Sequence, residues 1–329
     1  MKQHQTSPAR AAMKLLCVLL GIVFFLLLGI TLSFRSWFSA LGSSVPAGAF
    51  LTAQELGGGT PGADGVVFES HDLTIGGRGS GITNILLIGQ DRREGEAVAR
   101  SDTMILCTFN PDAKKITLTS FLRDLYVQIP GHNNNRINAA YAAGGAPLLK
   151  KTLETNFGIQ LDGCVEVDFS QFADIVDLLD GVAIELRQDE AQLISRETGT
   201  QLEEGLQTLN GAQALTYSRI RKLDADGDFS RTQRQRKVLQ AMADRFRDAS
   251  LTTLLTLTEA LLPMISTDMS AGKILRCTME LFPLLSDSQL VSQSIPAPGS
   301  CSDRTIAGMS VLVADMEAVR QALADSLLP

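Results

Sequence analysis

Acidic side chains flank two short apolar segments in the first half of the chain. Asp91 follows the run at 84–89, and Asp102 precedes the run at 103–109. If the two runs are adjacent antiparallel strands joined by a loop, both carboxylates lie at the same edge of a sheet. Two such carboxylates repel one another unless a hard cation joins them, and Mg²⁺ binds one or two carboxylates together with substrate phosphates. We therefore expect a divalent cation, Mg²⁺ or Mn²⁺, at Asp91 and Asp102.

Arginines accompany these carboxylates. The planar guanidinium donates two hydrogen bonds at once and suits phosphate groups, and a cluster of such cations is costly unless a polyanion neutralises it. The residues concerned are Arg100, Arg123, Arg219, Arg221 and Arg231, with Gln235 one helical turn beyond Arg231. This set favours a pyrophosphate-bearing ligand held by arginines and a divalent ion. The alternative is a network of salt bridges between the same arginines and aspartates, with no ligand.

The elements that would position these residues follow from hydrophobic patterning. Short apolar runs predict strands at 84–89, 103–109, 115–120 and 181–186. Helical spacing predicts helices at 138–157, with an internal GG-A-P break, and at 169–179, 209–215, 228–246, 251–263 and 272–285. Alternating strands and helices indicate an α/β fold, which we expect to be a three-layer α/β/α sandwich. Segment 216–221 reads as extended, so the i, i+2 spacing of Arg219 and Arg221 predicts both guanidiniums on one side of a strand.

Composition and motifs exclude several function classes. The net charge of −7 argues against a nucleic acid as the main partner. The sequence has no GxSxG, GxxxxGK[ST] or HExxH motif. Its three histidines, in the predicted tail (His4), linker (His71) and a loop (His132), argue against histidine-dependent catalysis. The five cysteines show no metal-ligand spacing. They are free thiols or include one bridge, for which Cys277 and Cys301 are the candidate pair.

A membrane segment precedes the folded part of the chain. Residues 15–34 carry no charge and at ~1.5 Å per residue would span roughly 30 Å, the thickness of a bilayer hydrocarbon core. A cleaved signal peptide, the alternative, usually has a shorter apolar region of about 7–15 residues. Basic residues precede the run, which places the N-terminus in the cytoplasm. We expect a single-pass membrane protein with a cytoplasmic tail (1–14), a transmembrane helix (15–34), a Gly-rich extracellular linker (35–82) and a folded extracellular domain (83–329).

Six motifs in a fixed order resemble a known family. They read NILLIGQDRR…ARSDTMIL, SFLRDLYVQIP, RINAAYAAGG, VEVDFSQFADIVDLLDGV, LNGAQALTYSRIRK and GDFSRTQRQRKVLQ, and they span about residues 83–240. This pattern resembles the LytR-CpsA-Psr (LCP) family, as do the short tail, the single span and the external domain. The remainder of the chain is similar, less specifically, to the usual helical C-terminal part of that family.

The resemblance implies a membrane-anchored transferase. Such an enzyme takes a glycopolymer (teichoic acid, capsule or another glycan) from an undecaprenyl-pyrophosphate carrier and joins it by a phosphodiester to a muramic acid hydroxyl of peptidoglycan. A phosphohydrolase acting on the same lipid pyrophosphate would use the same site, and a non-catalytic lipid-binding regulator of the cell envelope is a further alternative. No nucleic-acid partner is expected.

The resemblance also assigns roles to residues. It implies that Asp91 and Asp102 hold Mg²⁺ and that the arginines named above, with Gln235 nearby, hold the pyrophosphate. The catalytic set would comprise Asp91, Asp102, Arg123 and Asp124, with Asp91 and Asp124 as candidate bases. The lipid needs an apolar tunnel, which Phe169, Phe172, Ile175, Val176 and Leu179 would line unless they form an ordinary core face. Three positions depart from the usual motifs: Leu122 replaces a proline, Ser230 a glycine and Arg136 a lysine.

Overall fold

The computed structural model describes residues 65–77, 81–91, 100–247, 265–270, 273 and 289–328. The predicted transmembrane segment 15–34 lies outside these residues, as do most of the helical segments predicted at 251–263 and 272–285. Within the described residues, no helix is long and apolar enough to cross a membrane.

The described part of the chain has a mixed α/β fold. Its elements are, in chain order, β1 (Thr83–Asp91), β2 (Arg100–Asn110), β3 (Lys115–Phe121), β4 (Tyr126–Val127), β5 (Asn135–Arg136), α1 (Ile137–Phe157), β6 (Gly163–Asp168), α2 (Phe169–Leu178), β7 (Val182–Leu186), α3 (Gln188–Thr198), β8 (Gly205–Leu209), α4 (Gly211–Arg219), α5 (Asp228–Arg247), β9 (Ser266–Thr267), β10 (Gln289–Ile295), β11 (Cys301–Ile306), β12 (Met309–Ala314) and α6 (Met316–Leu327). These elements divide into two compact units. We call them the sheet unit (described residues of 65–168 and 291–328) and the helical unit (described residues of 169–290).

The sheet unit contains strands in the order β10-β3-β2-β1-β6, with β1 antiparallel to β2 and parallel to β6. The first three predicted strands are its β1, β2 and β3. Leu86 and Ile105 lie on opposite faces of the sheet, and both are fully buried. Burial on both faces explains why these strands read as continuous apolar runs instead of alternating ones.

Helix α1 covers one face of this sheet. Its Leu153 and Phe157 are fully buried in one cluster with Leu86 of β1. The predicted break is present, because Gly145 has a positive φ of 61° and Pro147, which has no N–H to donate, follows it. The helix therefore changes direction at the point that the sequence predicted.

Part of the predicted linker is packed. The sequence assigned residues 35–82 to a tether, but Ile75 is fully buried in the core of the sheet unit. The N–H of Ile75 donates to the Gly158 carbonyl at 2.7 Å, and the N–H of Gln160 donates to the Ile75 carbonyl at 2.9 Å. These backbone hydrogen bonds join residues far apart in the sequence, and a Gly-rich composition gives no sign of them. The predicted domain start at residue 83 is therefore later than the first packed residues.

The helical unit contains α2 to α5 and the antiparallel pair of β7 and β8. Its α2 and α5 lie where they were predicted. The prediction of an extended segment at 216–221 is wrong, because α4 continues to Arg219. A capping box of Asn210 and Gln213 starts this helix, and the side chain of Tyr217 is fully buried. Capping and burial therefore outweigh the preference of Thr216 and Tyr217 for strands.

The C-terminal part of the chain is not wholly helical. Strands β10, β11 and β12 precede α6, and β11 and β12 form a hairpin whose two turn residues, Ala307 and Gly308, both have positive φ. Most of β11 is exposed, and therefore it lacks the apolar pattern by which a strand is predicted. Cys301, the first residue of β11, is a free thiol, and Cys277 lies outside the described residues.

Candidate functional site

A β-bulge at one end of β1 and β2 singles out Asp102. Gly89 pairs with Thr103 but Gln90 pairs with Ser101, so Asp102 is the additional residue of β2. A Cβ atom on Gly89 would lie 2.9 Å from the Cβ of Thr103, and therefore glycine is needed for this close approach. Bulges redirect side chains and are frequent next to active sites.

Asp91 ends β1 at the same end of the sheet. Its backbone pairs with that of Arg100, which lies two residues before Asp102. The predicted antiparallel arrangement of the two strands is therefore confirmed. It places the backbones of Asp91, Arg100 and Asp102 together.

Arg123 is ion-paired with Asp102. Its Nη1 lies 2.6 Å from Oδ1 of Asp102, and the two side chains are 18% and 19% exposed. The Nε of Arg123 lies 3.6 Å from Oδ2 of Asp124, whose Oδ1 lies 3.4 Å from Nη1 of Arg136. The charges therefore alternate along the row Asp102–Arg123–Asp124–Arg136. In such a row an anionic ligand can replace a carboxylate as the partner of a guanidinium.

Main-chain hydrogen bonds fix the turn that carries Arg123 and Asp124. The N–H of Leu312 donates to the Asp124 carbonyl, and the N–H of Leu122 donates to the Ile295 carbonyl, each at 2.9 Å. Proline has no N–H, so the second bond depends on the leucine at position 122. The C-terminal strands thus hold both ends of this turn.

In the helical unit, Asp228 at the start of α5 binds two of the predicted arginines. Its Oδ1 lies 2.9 Å from Nη2 of Arg231 and 3.2 Å from Nη2 of Arg221. Arg231 is only 3% exposed, whereas the side chain of Arg221 is 42% exposed. Two guanidiniums thus converge on one carboxylate, and clustered guanidiniums are suited to bind an anionic ligand.

Gln235 adds a buried polar group one turn along α5 from Arg231. The residue is 8% exposed, and its Oε1 has no hydrogen-bond donor among the described residues. Buried polar atoms without a partner are rare in proteins. A half-turn of the amide presents either its oxygen or its nitrogen. This turn of α5 is therefore suited to hold a polar ligand.

Arg219, the last residue of α4, rests on an aromatic ring. Its Cζ lies 4.4 Å from the centroid of Phe169, the first residue of α2, within the range of a cation–π contact. Of the other residues assigned to a lipid tunnel, Val176 is fully buried and Phe172 is half-buried. The tunnel itself stays a prediction.

Arg234, on the same helix as Arg231, belongs to a buried ionic network. Its Nε donates to Glu190 at 2.7 Å, its Nη1 donates to the Ile220 carbonyl at 3.3 Å, and its Nη2 donates to Asp224. Arg187 also donates to Asp224, at 2.7 Å. Burial by itself would raise the pKa of Asp224, but the hydrogen bonds from Arg234 and Arg187 outweigh it and hold this pKa below its usual value. The hydrogen bonds from Arg234 to Ile220 and Asp224 therefore hold the loop that follows α4 against α5.

The LytR_cpsA_psr family profile matches residues 67–325, which is most of the chain. The chain belongs to the LytR-CpsA-Psr family. The resemblance inferred from the six motifs is therefore confirmed.

Named relatives and solved structures agree with this assignment. The "Polyisoprenyl-teichoic acid--peptidoglycan teichoic acid transferase TagT" of Bacillus subtilis (strain 168) is 42% identical over 174 residues, which cover 51% of this chain and 53% of TagT. The chain thus spans about half the length of the curated relatives it matches. A structure described as "TagT bound to LIIa-WTA" superposes with a TM-score of 0.62 at 30% identity, covering 79% of this chain and 96% of that one.

A second solved structure carries a lipid. It is described as "LytR-CPS2A-psr family protein YwtF (TagT) with bound octaprenyl pyrophosphate lipid". Its TM-score is 0.59 at 29% identity, and the superposition covers 79% of this chain and 96% of that one. Both structures share the mixed α/β fold, with a central sheet and helices.

The site residues predicted for the family fall into the two units. Asp91, Arg100, Asp102, Arg123 and Asp124 lie in the sheet unit, and Arg219, Arg221, Arg231 and Gln235 lie in the helical unit. The structure brings together Asp102, Arg123 and Asp124 in the first unit, and it joins Arg221 to Arg231 through Asp228 in the second.

Three charged residues in or near these clusters received no site role from the sequence. Arg136 and Asp228 stand in the motifs RINAAY and GDFSR, which were the signal for them. Glu166 lies on β6, which was not predicted as a strand. It accepts a hydrogen bond from the hydroxyl of Tyr141 at 2.6 Å and one from Gln90 at 3.0 Å, and it thus ties the residue before Asp91 to α1.

Proposed function

We propose that this chain is a membrane-anchored phosphotransferase. It moves a glycopolymer from an undecaprenyl-pyrophosphate carrier onto peptidoglycan through a phosphodiester, with Mg²⁺ or Mn²⁺ as cofactor. The observation that carries the proposal is the cluster at the start of α5, where Asp228 binds both Arg221 and Arg231 one turn from the buried, unsatisfied amide of Gln235. A relative is named a teichoic acid transferase, and another structure of that relative holds octaprenyl pyrophosphate, which matches the chemistry of this group.

The arginines would bind the pyrophosphate of the donor. Arg221 and Arg231 converge on one carboxylate, and guanidiniums donate readily to phosphate oxygens, so a pyrophosphate would accept hydrogen bonds from this pair. Fixed cations aimed at the transferring phosphoryl group stabilise the charge that develops there in the transition state. Positioning and electrostatics would supply most of the catalysis, since lipid phosphate is a stable leaving group.

The sheet unit offers carboxylates for a divalent ion. Asp91 ends β1 and Asp102 is the bulged third residue of the neighbouring β2, and carboxylate oxygens are hard donors that suit Mg²⁺. Substrate phosphates would complete the coordination of the ion, as is usual for Mg²⁺ held by one or two carboxylates. When bound, the ion would neutralise phosphate charge.

The chemical step would be an in-line displacement. The acceptor hydroxyl oxygen of muramic acid forms a bond to the sugar-side phosphorus, and the bond from that phosphorus to the oxygen of the lipid phosphate breaks. The hydroxyl proton passes to a carboxylate, for which Asp91 and Asp124 are the candidates. Asp124 is held between Arg123 and Arg136, which fixes its orientation. Undecaprenyl phosphate leaves.

The proposal includes the placement of the chain in the cell envelope. Residues 15–34 would span the membrane with residues 1–14 in the cytoplasm, and the folded part would lie outside as a three-layer α/β/α domain with an apolar tunnel for the lipid. In that location the partners are the lipid-linked glycan, peptidoglycan and the membrane.

A reconstituted reaction tests this function. The full chain in detergent is incubated with a synthetic lipid-pyrophosphate glycan, uncross-linked peptidoglycan oligomers and Mg²⁺, beside Asp102→Ala and Arg123→Ala variants. We expect a glycan–phospho–peptidoglycan conjugate that both variants fail to form and that a chelator abolishes. Free phosphate or sugar phosphate without conjugate would instead identify a phosphohydrolase. Tight lipid binding without any product would identify a regulator.

A further inference from the structure

The guanidinium of Arg219 lies over the ring of Phe169, with its Cζ 4.4 Å from the ring centroid. Arg219 is exposed and Phe169 is half-buried. A guanidinium that stacks on a ring through its face keeps its N–H edges, the groups that bind phosphate oxygens, at the periphery of the contact.

Two antiparallel helices create this contact. Phe169 begins α2 and Arg219 ends α4, and at the opposite end of the pair the N–H of Gly211 donates to Oδ1 of Asp177 at 2.7 Å. The separation along the helix axis from Phe169 to Asp177 equals that from Gly211 to Arg219. Each interval is eight residues, about 12 Å at 1.5 Å per residue. Anchoring Gly211 to Asp177 therefore sets Arg219 opposite Phe169.

Gly211 permits the close approach of the two helices. A Cβ atom on Gly211 would lie 2.2 Å from the carbonyl oxygen of Ala173. Because that oxygen belongs to the backbone of α2, any side chain at position 211 would push the helices apart. The close packing at Gly211 thus keeps the guanidinium of Arg219 next to the ring of Phe169.

We propose that Phe169 is a positioning residue for Arg219. Its ring holds the guanidinium in one orientation, with the N–H edges presented to the pyrophosphate of the lipid-linked donor. This inference rests on the proposed function, because it assigns Arg219 to the pyrophosphate. It gives Phe169 a role at the head group of the donor, in place of the tunnel-lining role that the sequence predicted.

The two roles of Phe169 predict different dependences on the lipid. A ring that positions Arg219 affects every ligand with a pyrophosphate, whether or not it has a prenyl chain. A ring that lines a tunnel affects prenylated ligands only. Loss of a cation–π contact at a partly exposed site corresponds to about a three- to tenfold loss of affinity.

The test measures the affinity of the full chain in one detergent for inorganic pyrophosphate and for farnesyl pyrophosphate by titration calorimetry. Five proteins are compared: wild type, Phe169→Leu, Phe169→Tyr, Arg219→Gln and the double variant Phe169→Leu/Arg219→Gln. Ratios to wild type cancel the partition of farnesyl pyrophosphate into micelles. Thermal melting of each variant checks that it is folded.

We expect Phe169→Leu to lower the affinity for both ligands by the same factor, about three- to tenfold, while Phe169→Tyr retains wild-type affinity. In the Arg219→Gln background, Phe169→Leu should have no further effect, because the group that it positions is absent. A loss confined to farnesyl pyrophosphate would overturn the inference in favour of the tunnel. Equal affinities of wild type and Phe169→Leu would overturn it as well. If wild type binds neither ligand, the proposed function fails, and this inference fails with it.

Discussion

The Nη1 of Arg123 lies 2.6 Å from Oδ1 of Asp102, so the aspartate expected to hold a cation is the partner of an arginine expected to hold pyrophosphate. Each side chain is about four-fifths buried, so breaking this ion pair would cost more than breaking an exposed one. The β-bulge at Asp102 sets this contact, since it directs the carboxylate out of the regular alternation of β2. The salt bridge and the ligand site predicted from the sequence therefore involve the same atoms.

Asp102→Asn removes the charge and keeps the shape of the side chain. We expect the rate of conjugate formation to fall by about 10²–10³-fold, because Arg123 loses its shorter ion pair and the divalent ion would lose a charged ligand. Asp112→Asn is the matched control: Asp112 is exposed and lies beyond the other end of β2. The rates are measured with the synthetic lipid-linked glycan at saturating Mg²⁺. Equal rates in the two variants would remove Asp102 from the mechanism.

The loop between α4 and α5 offers a second matched pair. Asp224 accepts hydrogen bonds from Arg234 and Arg187, whereas the side chain of Asp226, two residues later, is exposed. Asp224→Asn should lower the free energy of unfolding by about 3 kcal/mol, because the buried Arg234 loses a charge partner. Asp226→Asn makes the same change in net charge and should stay within about 0.5 kcal/mol of wild type. Urea unfolding measures both, and a similar loss in the two variants would show that net charge, not the network, is responsible.

The same network predicts a dependence of stability on pH. The pKa of Asp224 is lower in the folded chain than in the unfolded chain, so its stabilisation is complete above the unfolded value and is lost as the pH falls through the lower, folded value. We expect the difference in unfolding free energy between wild type and Asp224→Asn to be constant from about pH 5 to 7 and to shrink below about pH 4. Urea unfolding at a series of pH values measures it. A difference that grows on acidification would contradict the proposed ionisation of Asp224.

Features of the site that depend on the local sequence pattern could be predicted, and features that depend on contacts with distant parts of the chain could not. The central strands were predictable because burial on both faces leaves a continuous apolar run, and their antiparallel pairing placed Asp91 near Asp102. The end of α4 was not predictable, because Arg219 follows residues that favour strands and the helix is held by packing and a cap. Distant contacts left no local signal either. The carbonyl of Asp124, for example, is bound by Leu312, far along the chain.

The fit of α2 against α4 gives the last prediction. Gly211→Ala places a Cβ atom against the carbonyl oxygen of Ala173, so the helices must separate, and overpacking of this kind costs about 1–3 kcal/mol of stability. Separation also moves Arg219 off the ring of Phe169, and we expect the affinity for inorganic pyrophosphate to fall about as much as in Phe169→Leu.

Ala212→Ser is the control for this change. It also adds a single heavy atom in the first turn of α4, but position 212 is exposed. It should alter neither the thermal midpoint nor the affinity for pyrophosphate. If Gly211→Ala lowers the midpoint but leaves the affinity at the wild-type value, the close packing of the helices serves stability alone. A joint fall of midpoint and affinity would show that the glycine also sets the position of the arginine, because helix separation is then felt at the opposite end of the pair.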